Sequence, residues 1–106
     1  MSVLVTLSMN GDPKKLEEQA ASDPGAMQTI LESAKEHGVI AHRFYGSEDG
    51  QIVVVDEWPD GQSFQSFFEE NNERIAPLFQ AVGVTSPPQP KVWRKLETHD
   101  EYGWGE

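Results

Sequence analysis

The chain has 106 residues, with 18 acidic against 8 basic side chains, a formal charge of −10 and no cysteine. That length builds one domain with a thin core, and so acidic a surface repels phosphate backbones and anionic lipid, which argues against nucleic acid and membranes as partners. Lack of cysteine removes disulfides, thiolate catalysis and cysteine metal sites, and no apolar run approaches the ~20 residues that a membrane helix needs.

Residues 2 to 9, "SVLVTLSM", are short, apolar and rich in β-branched types, and "NGDP" ends them with turn residues; they predict a first strand. The start has no basic segment ahead of its apolar run, so it reads as a strand rather than a signal peptide, which leaves a cytoplasmic location as the expectation. Helical composition begins at Pro13, and "SDPG" at 22–25 interrupts it with a capping Asp and a Pro suited to a first helical turn, so a broken helix or two short ones are expected. Met27, Ile30, Leu31 and Ala34 then form one apolar stripe that Gly38 terminates.

"VIAHRFYG" and "QIVVVDEW" flank "SEDG", so residues 39–58 predict an antiparallel hairpin. The next helix follows "PDGQ", with Ser63 as its cap and Phe64, Phe67, Phe68, Asn71 and Ile75 on one face. Pro77 is expected to open a second short helix reaching about Val82. "GVTSPPQP" ends helical structure, "KVWRKLE" from Lys91 predicts the last strand, and residues 98–106 form a polar tail whose Tyr102 and Trp104 have no obvious place.

The order β, α, β, β, α, β is the ferredoxin-like arrangement of the α+β class: one domain over residues 1–97, a four-stranded antiparallel sheet with its helices on one face. Val53 and Val55 alternate with Val54, so both faces of the third strand are apolar, and sheet-to-sheet homodimerisation would cover the second face.

With this order, the "HRFYG" and "VVVDEW" strands and the Phe-rich helix after "PDGQSF", residues 2–97 resemble the dimeric α/β-barrel superfamily and, within it, the antibiotic-biosynthesis-monooxygenase-like group. The resemblance implies two ferredoxin-like subunits packed sheet against sheet as a barrel, each holding a small-molecule pocket between sheet and helices. Such proteins include cofactor-free oxygenases of polycyclic phenols, haem-degrading enzymes, isomerases and dehydratases. The haem-degrading branch resembles this chain at Asn10 and Trp58, but its iron-binding His lies on the helix after the third strand. Here that helix, "SFQSFFEENNERIAPLF", has no His, so neither haem nor another cofactor is expected.

Three histidines carry the remaining chemistry. His37 precedes Gly38 and suits a helix C-terminus, His99 lies in the polar tail, and His42 stands mid-strand among apolar and aromatic residues. No pair has metal-ligand spacing. Hairpin register decides what Asp56 meets. A three-residue Glu48-Asp49-Gly50 loop, the favoured reading because it suits a type I turn closed by a left-handed glycine, pairs it with His42; a two-residue loop pairs it with Arg43.

In the first register His42 is a candidate general base and Asp56 its orienting carboxylate, acting on a phenol or enol that then reacts with dioxygen. Trp58, Phe44, Phe67, Phe68, Phe79 and Met27 are candidate walls of the substrate site, with Asn71 a further candidate on the helix. The alternatives are a non-catalytic small-molecule-binding or stress-type module of the same fold, and a structural homodimer in which the aromatics fill the core. Glu57 falls on the opposite side of the sheet, where an interface or edge charge is expected.

Overall fold

The computed structural model describes residues 2–103. Its elements are β1 (Val3–Asn10), α1 (Pro13–Ser22), α2 (Pro24–Glu36), β2 (Ala41–Gly46), β3 (Gln51–Trp58), α3 (Gly61–Ala81) and β4 (Gln89–Arg94). The sheet runs β2-β3-β1-β4, antiparallel at every pairing. This is the four-stranded α+β, ferredoxin-like fold, with its first helical segment divided in two.

Aspartates start all three helices. Asp12 accepts from Lys14 N–H at 2.9 Å, Asp23 from Ala26 N–H at 3.3 Å and Asp60 from Ser63 N–H at 2.7 Å, each satisfying a first-turn donor that the helix itself leaves free. The division at "SDPG" arises because Asp23 ends α1 and caps α2, while Pro24 occupies the position where a missing N–H costs nothing. For α3 the cap is Asp60 rather than Ser63, which supplies the N–H instead of the acceptor. The Ser63 N–H bond holds the exposed Asp60 carboxyl below its ordinary value.

Pro77 does not start a new helix: α3 continues through it to Ala81. Proline leaves the carbonyl four residues back, on Glu73, without its helical donor. Both Glu73 and Pro77 are exposed, so water can serve that carbonyl. Beyond the proline, Leu78, Phe79 and Val82 are buried at 9%, 6% and 0% exposure, and burying three such side chains, at roughly 1.5–3 kcal/mol each, outweighs the ~3 kcal/mol disfavouring of an internal proline.

Strand alternation sorts the two faces. Val5, Leu7 and Met9 of β1 and Ile52, Val54, Asp56 and Trp58 of β3 point to the helix side and are buried. Val53, Val55 and Glu57 point to the other side and are half-buried; Glu57 there accepts the Ser2 hydroxyl. On that open face Leu4, Tyr45 and Trp93 are exposed, with the Trp93 indole donating to Thr6 Oγ1 at 2.9 Å. No helix among the described residues is long and apolar enough to cross a membrane. Tyr102 is 94% exposed; Trp104 lies outside the described residues.

Candidate functional site

The β2–β3 loop determines which side chains meet. Gly50 adopts φ +86°, Ser47 N–H donates to Gln51 O at 2.9 Å, and Glu48-Asp49-Gly50 span the turn. A left-handed residue at that point is what a three-residue hairpin loop requires, and glycine takes it without a Cβ clash. His42 therefore stands opposite Asp56 and Phe44 opposite Val54. Arg43 faces the open side, its guanidinium 3.2 Å from the Tyr45 hydroxyl, so the Arg43–Asp56 ion pair does not form.

Asp56 lies in the second strand of the sheet, under the helices, with its side chain 7% exposed, while the His42 side chain on the edge strand is 33% exposed. His42 Nδ1 is 2.7 Å from Asp56 Oδ1, and the Trp58 indole N–H donates to Oδ2 at 3.1 Å. Both carboxylate oxygens thus have a partner, as a buried charge requires. Since a carboxylate only accepts, the imidazole proton sits on Nδ1, leaving Nε2 as the basic nitrogen of the neutral ring.

The ring lines a cavity of ≈ 260 Å³ between the sheet, α2 and α3. Phe44, Phe67, Phe68, Phe79 and Met27 line it alongside His42 and Asp56. The interior is therefore not filled by its aromatics. Trp58 is not part of the wall. Fully buried, it packs 5.9 Å from Phe64 and 5.4 Å from Phe67, contacts worth about 0.5–1.5 kcal/mol each beyond burial, and its polar edge turns to Asp56.

Asn71 does not line the cavity either. It is fully buried, donating to Ser33 Oγ at 2.8 Å and Phe67 O at 3.0 Å and accepting from Arg74 at 2.9 Å. Its amide ties α3 to α2, because helix packing placed a hydroxyl from the neighbouring helix over it. His37 caps α2, donating Nδ1–H to Ser33 O at 2.9 Å. Leu31, Phe64 and Gln28 also line the cavity, although none of them is among the walls expected from the sequence. Leu31 sits on the Met27 stripe and Phe64 on the Phe67 face, so the helical periodicity already carried both; Gln28 had no such signal.

Among the described residues, no group of three His, Cys, Asp or Glu side chains is arranged to hold a metal ion. Asn10 donates to Thr85 Oγ1 at 3.0 Å and does not reach the cavity.

Comparison with solved structures finds close likenesses in architecture at low sequence identity. A monooxygenase from the gene ActVA-Orf6 of Streptomyces coelicolor, in complex with nanaomycin D, aligns with TM-score 0.66 and 19% identity, covering 91% of this chain and 88% of that one. SnoaB, a cofactor-independent oxygenase from Streptomyces nogalater, aligns with TM-score 0.59 and 15% identity, covering 94% and 97%. A dimeric ferredoxin-like protein from an uncultured marine organism gives 0.63 and 14%, covering 95% and 93%. The chain has the fold of the antibiotic-biosynthesis-monooxygenase-like proteins. No protein-family model and no curated protein matches it.

Proposed function

We propose that this protein is a homodimeric small-molecule enzyme of the cofactor-independent monooxygenase type, with His42 as general base and Asp56 as the group that orients it. One observation carries the reading: an imidazole backed by a buried carboxylate at 2.7 Å lies on the wall of a predominantly apolar cavity. His42 Nε2 takes the proton of a phenol or enol, and Asp56 stabilises the imidazolium that results. The electron-rich anion then reacts with dioxygen from solution. One oxygen atom bonds to carbon, the O–O bond breaks and the second atom leaves as water, so that a CH₂ group and O₂ become C=O and H₂O. Apolar walls keep bulk water from the anion. Likeness in fold to an oxygenase described as cofactor-independent supports this reaction class.

Replacing His42 by Ala tests the assignment. Oxygen uptake with a responsive phenol or enol is expected to fall by about 10²–10⁴-fold, the usual worth of a positioned base, while affinity for that compound changes little. Uptake unchanged in the variant would remove His42 from the mechanism. Binding by the wild type with no turnover of any such compound would identify a non-catalytic binding module.

The open sheet face supports the homodimer. Leu4, Tyr45 and Trp93 are 41%, 51% and 44% exposed there beside Val53 and Val55, and a second copy of the same face would bury them. Sedimentation at micromolar concentration is expected to give a dimer, and Val55→Lys a monomer. A wild-type monomer would contradict the assignment.

A further inference from the structure

Resting on that deprotonation reading, we infer that the cavity selects a flat, uncharged compound of about two fused rings with one acidic hydroxyl, and rejects compounds that carry a further carboxylate or phosphate.

Charge gives the first half of the argument. Among the described residues the lining contains no Lys or Arg, and its polar side chains are His42, Asp56 and Gln28. Arg43 is on the open face, and Arg74 is engaged with Asn71. A second anionic group on a bound molecule would therefore lose its water without gaining a cation, next to a carboxylate already buried on Asp56 and in a protein of charge −10. The only acidic proton the site can accept is the one presented to His42. Among the described lining residues, the further side chain that can hydrogen-bond is Gln28, whose amide donates to Glu32 at 3.4 Å; hydroxyls elsewhere would face Phe67, Phe68, Leu78 or Phe79, which offer none.

Size gives the second half. An apolar cavity of about 150 Å³ accommodates one benzene ring, and this one measures ≈ 260 Å³, which suits roughly two. Aromatic walls at Phe44, Phe67, Phe68 and Phe79 favour a flat body. His42 and Asp56 are direct cross-strand neighbours, so the titratable groups occupy one place on the wall, and the acidic hydroxyl of the ligand belongs at that end.

Calorimetric titration of the wild-type protein under anaerobic conditions tests this with phenol, 2-naphthol, 2-anthrol and 6-hydroxy-2-naphthoate. Binding of 2-naphthol is expected to be about thirtyfold tighter than that of phenol, reflecting the extra buried carbons. 2-Anthrol is expected to bind no tighter than 2-naphthol, because its third ring would extend past the cavity and bury little further surface. The hydroxynaphthoate is expected to be at least about a hundredfold weaker. Tighter binding of the three-ring compound, equal or tighter binding of the carboxylated one, or no binding of any of the four, would overturn the inference. Oxygen uptake measured separately keeps the two claims apart. The expected binding order without uptake of oxygen for any compound leaves the selectivity standing and defeats the oxygenase reading. Rapid uptake with 2-anthrol and none with 2-naphthol does the reverse.

Discussion

Among the described residues, two histidines stand beside a carboxylate, and they are built for different ends. His42 Nδ1 meets Asp56 at 2.7 Å, with the Asp56 side chain 7% exposed; His37 Nε2 lies 3.9 Å from Glu70, whose side chain is 56% exposed. The Nδ1 of His37 is spent on the Ser33 carbonyl, and the Ser33 hydroxyl donates to Glu70. In water a charge pair at that separation is worth about 1 kcal/mol before salt screens it, so the contact of His37 with Glu70 is a weak surface one. Asp56 is shielded from solvent, is oriented by the Trp58 N–H, and leaves Nε2 of its histidine free for a ligand. Sequence distance from a carboxylate does not separate the two cases; burial of the acid, and what holds the other ring nitrogen, does.

The largest effect is expected where the buried acid is altered without changing its shape. In Asp56→Asn, Trp58 can only donate, so the amide oxygen turns to the indole and the NH₂ group faces His42. Nδ1 must then accept, which puts the ring proton on Nε2 and removes the base. Turnover is expected to fall by about 10²–10⁴-fold, as when a triad aspartate is replaced by its amide, with the fold retained by circular dichroism. If turnover survived, Asp56 would be a structural partner of His42 and the two histidines would be equivalent after all.

The opposite outcome is expected in the second cluster. Asn71→Ala removes a fully buried amide with three hydrogen bonds, leaves a void between α2 and α3, and should cost about 2–3 kcal/mol in stability by denaturant unfolding. Turnover per folded molecule should change little. A large loss of turnover at unchanged stability would place this cluster in the reaction.

Much of this contrast was legible in the chain, up to a definite depth. Glu48-Asp49-Gly50 carried the register, because a left-handed residue was needed and glycine was there, and the register carried the His42–Asp56 pair. Alternation also put Trp58 on the helix side correctly. It could not tell which way the indole turns once there, and the ring presents its N–H to Asp56 rather than a face to the cavity. Asn71 was placed on the right helical face for the wrong purpose, since its partner Ser33 lies on another helix and only tertiary packing brings the two together. Pro77 and Asp60 show the same limit in milder form: local rules favoured a break at the proline and a serine cap, while burial of Leu78, Phe79 and Val82 carried the helix onward and Asp60 reached Ser63 N–H first.

Asp60 supplies the smallest effect and a third setting for a carboxylate, fully in solvent. The backbone N–H of Ser63 lowers its pKa from the ordinary 3.8, because that bond favours the ionised form. A depressed pKa contributes stability that is complete above the unfolded-state value and disappears as the pH falls through the folded-state one. Asp60→Ala should therefore lower the Tm slightly near neutral pH, and the gap from wild type should narrow below about pH 4 as the carboxyl protonates. Asp60→Asn keeps an acceptor for Ser63 and should recover most of the loss at neutral pH. A wild-type advantage that instead grew on acidification would mean that the ionised cap opposes folding, and would detach its hydrogen bond from the stability of α3.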